Sequence, residues 1–154
     1  MTKKSKKAIL AVLLGGTGIL AYGLWLSLRP VEIIAVHQDG NFSDVLVKNF
    51  PFTDKGKISW WIKNNNMLKA KYNIPKPEKE GNFTVIFWIF GKGYQQTDGY
   101  DRLCFDDVPL PLNCIDKRRV FSVNHSRNMG ISLNTSSRIY RMKENGGIIK
   151  DKDE

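Results

Sequence analysis

Four lysines, Lys3, Lys4, Lys6 and Lys7, precede 21 residues without a charge, Ala8 to Leu28. As a helix that run is roughly 31 Å long, close to the ~30 Å hydrocarbon core of a bilayer. No other stretch constrains the chain as much. It commits one end to lipid and leaves residues 29–154 to form a single domain with a modest core.

The flanks set an expected orientation. Lysines crowd one side, whereas Arg29 is the lone charge beyond the other side before Glu32. The positive-inside rule keeps the lysines in the cytoplasm and exports the C-terminal part. A cleaved signal peptide would share the charged start and apolar run, and Ala21-Tyr22-Gly23 has small residues at cleavage spacing. The apolar run, however, continues through Leu24-Trp25-Leu26-Ser27-Leu28, past that site. A retained anchor is therefore expected: a basic stub at 1–7, a transmembrane signal anchor from Ala8 to Leu28, and an exported domain at 29–154, periplasmic in a bacterium. Tyr22 and Trp25 suit the interfacial aromatic belt at the outer end.

Charge narrows the partners. Of the formal net charge of +9, the four leading lysines carry +4, leaving +5 on the domain. That is a mildly basic, solvated surface and not a nucleic-acid footprint. The lipid bilayer, through residues 8–28, is the partner the sequence implies most directly. Both cysteines, Cys104 and Cys114, lie in the exported part and flank a segment with Pro109 and Pro111. An oxidising compartment favours a disulfide between them, worth a little under ~3 kcal/mol for so short a loop. Zinc would need a second ligand pair nearby.

The exported part reads as α+β, with a mainly antiparallel sheet and one main amphipathic helix. Arg29-Pro30 ends the anchor, because proline cannot continue a helix cheaply. Val31–Val36 predicts a first strand, and Asp39-Gly40-Asn41 a turn. Val45–Val47 reads either as a short strand or as the end of a helix begun at Ser43. Between Pro51 and Pro75 the pattern predicts a helix capped by Thr53 or Asp54. Its apolar stripe would be Ile58, Trp61, Ile62, Leu68 and Tyr72, with Lys57, Lys63, Lys69 and Lys71 in water. Phe83–Phe90 reads as a central strand buried on both faces. Tyr94–Gln96, Tyr100–Phe105 and Val120–Val123 read as further strands, and Ile139–Met142 with Ile148–Ile149 as a terminal hairpin.

Few residues suggest chemistry. His37 and His125 have no partner at metal-ligand spacing, and both read best as surface or hydrogen-bonded histidines. Gly91-x-Gly93 lacks the third glycine of a dinucleotide fingerprint, and a hairpin accounts for it. Asp98, Asp101, Asp106 and Asp107 fall within ten positions. They do not follow a calcium-loop pattern, and they form the first place to look for a basic partner. No catalytic residue, metal ligand or cofactor is nominated.

Several blocks together resemble a known family. They are Leu24-Trp25-Leu26-Ser27-Leu28-Arg29-Pro30-Val31-Glu32-Ile33, Ala35-Val36-His37 and Asn41-Phe42-Ser43. Others are Val47-Lys48-Asn49-Phe50-Pro51-Phe52-Thr53-Asp54, Lys71-Tyr72-Asn73-Ile74-Pro75 and Tyr100-Asp101-Arg102-Leu103-Cys104-Phe105-Asp106-Asp107. Over nearly its whole length the chain resembles the enterobacterial putative membrane protein family, a domain of unknown function. The resemblance implies a small single-anchor envelope protein of enteric bacteria and supplies no catalytic residues. Expected roles are then a protein-binding one, such as immunity to a periplasm-targeted toxin; a periplasmic enzyme using the Asp98–Asp107 region or His125; or a structural subunit of an envelope complex.

Overall fold

The computed structural model describes residues 2–97, 99 and 101–151, in two units, Met1–Pro30 and Val31–Glu154. In the first, the Thr2 hydroxyl accepts from the Ser5 amide and caps α1, Lys3–Leu28. The helix thus begins within the lysines, ahead of the apolar run. It ends at Arg29, whose extended backbone is the geometry that a residue before proline prefers. Its stretch Lys3–Trp25 is long and apolar enough to cross a membrane, and its most apolar window has no buried residue. Near its end the Tyr22 and Trp25 rings lie 5.9 Å apart, and the Arg29 guanidinium sits 4.9 Å above Trp25.

In the second unit, β1 (Glu32–Asp39) and β2 (Phe42–Lys48) form a hairpin through Gly40, whose φ of +61° suits glycine. The segment at Ser43–Val47 is therefore strand. α2 (Asp54–Tyr72) crosses to β3 (Phe83–Ile89), which lies parallel to β2 because a helix joins them. β6 (Arg119–Ser126), β7 (Gly130–Thr135), β8 (Ile139–Met142) and β9 (Ile148–Lys150) add antiparallel. Between β3 and β6 the chain makes a separate two-stranded sheet, β4 (Arg102–Cys104) with β5 (Cys114–Asp116). Among the described residues the main sheet has seven strands, ordered β1-β2-β3-β6-β7-β8-β9. The architecture is α+β with a mainly antiparallel sheet, as expected.

Three local expectations need correction. Tyr94–Gln96 and the Arg102 strand lie outside the main sheet; Gln95 makes only a single bridge to Cys114. Tyr100, the expected start of that second strand, lies outside the described residues. β3 alternates: Phe83, Val85 and Phe87 are buried, while Thr84, Ile86 and Trp88 are half-buried, because only one face carries a helix. On α2, Lys57 is buried and Ile62 is exposed, which shifts the packed stripe toward Lys57, Ile58, Trp61 and Leu68.

α2 starts at Thr53, which accepts from the Gly56 amide at 3.0 Å, with Asp54 in the first turn facing the positive helix end. It stops at Asn73, left-handed at φ 57°, where the Asn73 and Ile74 amides bond the Lys69 and Leu68 carbonyls. Gln38 on β1 donates to the carbonyls of Tyr72 and Asn73, fastening the helix end to the sheet edge. Under α2 the core runs from Val45 and Val47 through Val85 and Phe87 to Phe121, Val123 and Leu133. On the opposite face a smaller cluster joins Leu46 to Phe105 and Ile115.

Candidate functional site

The lobe formed by β4, β5 and their connection is the most elaborated part of the second unit. The Cys104 and Cys114 sulfurs stand 2.07 Å apart, at disulfide distance, and the two residues are direct partners in the β4–β5 register. Arg102 donates through Nε to Asp116 at 3.2 Å and also bonds the Gln96 carbonyl. Phe105 and Ile115 turn inward onto Leu46, with Trp88, Phe90 and Tyr94 around them.

His37 ties this lobe to the sheet. It sits on β1 beside Asp44 of β2, and its ring stacks on Phe105 at 3.9 Å between centroids. Nδ1 lies 2.7 Å from Asp107 Oδ2, and Nε2 lies 2.9 Å from the Tyr94 hydroxyl. A neutral ring protonated on Nδ1 donates to Asp107 and accepts from Tyr94; a charged ring donates to both. Burial, and next the Asp107 charge, push the Tyr94 phenol above its ordinary value, so it holds its proton. The array therefore acts as a clamp more readily than as a source of a nucleophile. Beneath it, the Trp88 indole donates to Asp44 at 2.8 Å, while burial raises the Asp44 carboxyl.

The four acids nominated from the sequence do not form one site. Asp107 belongs to the His37 clamp, Asp101 pairs with Lys117 at 2.8 Å, Asp106 is exposed, and Asp98 lies outside the described residues. His125 is elsewhere: it stacks on Phe83 beside Gly81, and its buried Nδ1 has no partner among the described residues.

Two features escaped the sequence reading. The clamp joins residues 57 and 70 positions apart, a separation that no local pattern reveals. The other was readable: Pro109-Leu110-Pro111-Leu112 alternates proline and leucine inside the cysteine loop. Leu110 is 81% exposed and Leu112 52%, so the loop presents an apolar tip. Asp106 and Asp107 stand at its base, and Phe105 and Asn113 are joined beneath it by a 2.9 Å backbone bond.

Comparison with known proteins places the whole chain together. No curated protein and no solved structure matches it. One family model matches residues 2–152, spanning both α1 and the folded unit. The chain belongs to the enterobacterial putative membrane protein family.

Proposed function

We propose that this is a single-pass inner-membrane protein with its N-terminus in the cytoplasm and residues 29–154 in the periplasm. The domain acts by binding another protein, and immunity to a toxin delivered to the periplasm is the leading case. Lysines at one end of an apolar helix support the orientation. Cysteines at disulfide distance suit an oxidising compartment. The observation that carries the binding role is Leu110, 81% exposed on a loop closed by the cysteine pair and clamped by His37. A leucine held out to solvent by a braced loop loses little conformational freedom on docking. The acidic base of the loop suits a partner whose apolar socket has a basic rim.

The test uses the full chain in intact cells. A partner is captured by crosslinking, and the capture is repeated with Leu110→Ser combined with Leu112→Ser. The expected result is loss of the partner at unchanged protein level, together with loss of rescue in cells exporting a toxin encoded beside this gene. Full rescue by the double variant sinks the role assigned to the loop. A reporter fused after Glu154 should be active only outside the cytoplasm.

A further inference from the structure

Beyond the lobe, no described element of the second unit covers the face of the sheet opposite α2, and its side chains follow a pattern. Register places Ile86, Ser122, Asn134 and Ile139 in one row across β3, β6, β7 and β8. A neighbouring row runs Phe42, Thr84, Asn124, Ser132 and Arg141 from β2 to β8. A quarter of the chain is charged, yet the centre of this face carries hydroxyls and carboxamides. Open sheet faces that only meet water have no need to avoid charge. A cleft of about 300 Å³ lies here, lined by Thr84, Ser122, Asn124 and Asn134, with Ile86 and Ile139 at its ends and Arg119 contributing charge.

We infer that this cleft binds an oligosaccharide, neutral or carrying a single carboxylate, laid across the strands. The backbone groups of β3, β6 and β7 are engaged by neighbours on both sides, so a peptide cannot add as a strand here. Recognition falls to side chains. Carboxamides and hydroxyls both donate and accept, which matches sugar hydroxyls. Asn134 donates to Ser122 Oγ at 3.3 Å, and among the described residues that one bond leaves its carboxamide an oxygen and a second N–H to offer. Ile86, Ile139 and the half-exposed Phe42 ring give apolar surface for the C–H faces of sugar rings. Strands repeat every ~4.8 Å, close to the rise of one ring in an extended glycan. Arg119 sets the charge limit, as the only ionised side chain lining the cleft among the described residues.

The experiment uses the full chain in phosphatidylcholine nanodiscs, avoiding sugar-headed detergents. Two probes are titrated by saturation-transfer NMR and calorimetry: the neutral trimer of N-acetylglucosamine, and the N-acetylglucosamine–N-acetylmuramic acid disaccharide, which carries one carboxylate. Binding of either supports the proposal, provided Asn124→Ala with Asn134→Ala weakens it about tenfold or more. Thr84→Val, which keeps the side-chain shape, should weaken it without changing the melting temperature. Selective loss of the acidic disaccharide in Arg119→Ala identifies the carboxylate-bearing class. Leu110→Ser should leave saccharide binding intact, so this proposal and the protein-binding role fail separately. If neither probe binds, or if binding survives the asparagine and threonine changes, the inference is overturned. It is equally overturned if sedimentation shows a dimer that Asn124→Ala with Asn134→Ala dissociates, since a second copy then covers the face.

Discussion

On the α2 side of the sheet, Val45, Val85, Phe87 and Phe121 are buried beneath a 19-residue helix. On the other side of the same strands, Leu46 lies under a small lobe whose buried apolar residues include Phe105 and Ile115. The helix covers its face with apolar area, which is non-directional and scales with the surface removed from water. The lobe has less such area, contributed by Leu103, Phe105, Val108 and Ile115. Directional bonds add to it: the cysteine pair and the His37–Asp107 and His37–Tyr94 contacts. A segment fixed by a few specific bonds can carry exposed leucines and acids that a packed helix could not spare. Under the proposed binding role, that division of labour makes the lobe the presenter and α2 the support.

The sharpest way to break this comparison is at Phe87. Its ring is fully buried and meets Phe50, Trp60, Trp61 and Phe121. Phe87→Ala should cost about 3–5 kcal/mol, by lost transfer energy plus the cavity left behind. Denaturant unfolding of the full chain measures it. A loss smaller than that of any lobe variant would mean that the α2 face is not the main source of stability.

The cysteine pair comes next. Reduction, or Cys104→Ser with Cys114→Ser, should cost a little under ~3 kcal/mol on the chain-entropy estimate. The expected readout is local. Amide exchange should rise at Arg102–Cys104 and Cys114–Asp116 while β3 and β6 stay protected. An unchanged melting curve, with both thiols titratable beforehand, would refute the bridge. Equal deprotection of β3 would show that the lobe and the main core unfold as one unit.

How far this contrast was legible in the sequence differs between the two faces. Period and caps exposed the helix side: Ile58, Trp61 and Leu68 fall on one stripe, and Thr53 is a capping residue at the right place. The β3 run looked buried on both faces because Thr84, Ile86 and Trp88 interrupt it with no charge. β7 went unread, since Ser132, Asn134 and Thr135 resemble loop composition even though Ile131 and Leu133 alternate between them. On α2 the stripe was misplaced by one position at Lys57, whose stem can be buried without violating its charge preference. The lobe was legible only in its cysteine pair and in part of β4. Its strands are three residues long, and its fixing bonds join β1 to residues far along the chain.

A smaller effect is expected at the clamp. His37→Ala removes two hydrogen bonds and the stack on Phe105, and should cost about 2 kcal/mol. Asp107→Asn should cost under ~1 kcal/mol, because the Asp107 side chain is 63% exposed and water replaces its bond readily. Both should raise exchange in the lobe more than beneath α2. If His37→Ala instead loosens β6 and β7, the ring supports the sheet itself and is no clamp for the lobe.

The smallest effect concerns Asp44, whose register partner on β1 is His37. Burial raises its carboxyl above the ordinary 3.8, against opposing pulls from the Trp88 bond and the nearby His37. The folded chain therefore holds this proton more tightly than the unfolded chain does. The resulting stabilisation is complete below 3.8 and is lost as the pH rises through the folded value. Asp44→Asn keeps an acceptor for the Trp88 indole and removes the buried charge. Its melting temperature relative to the parent should be slightly higher at neutral pH, with the gap closing toward the acid end of the range. The opposite trend, a variant weakened as the pH rises, would mean that attraction to His37 outweighs desolvation. The β1–β2 pair would then be held by charge as well as by its backbone bonds.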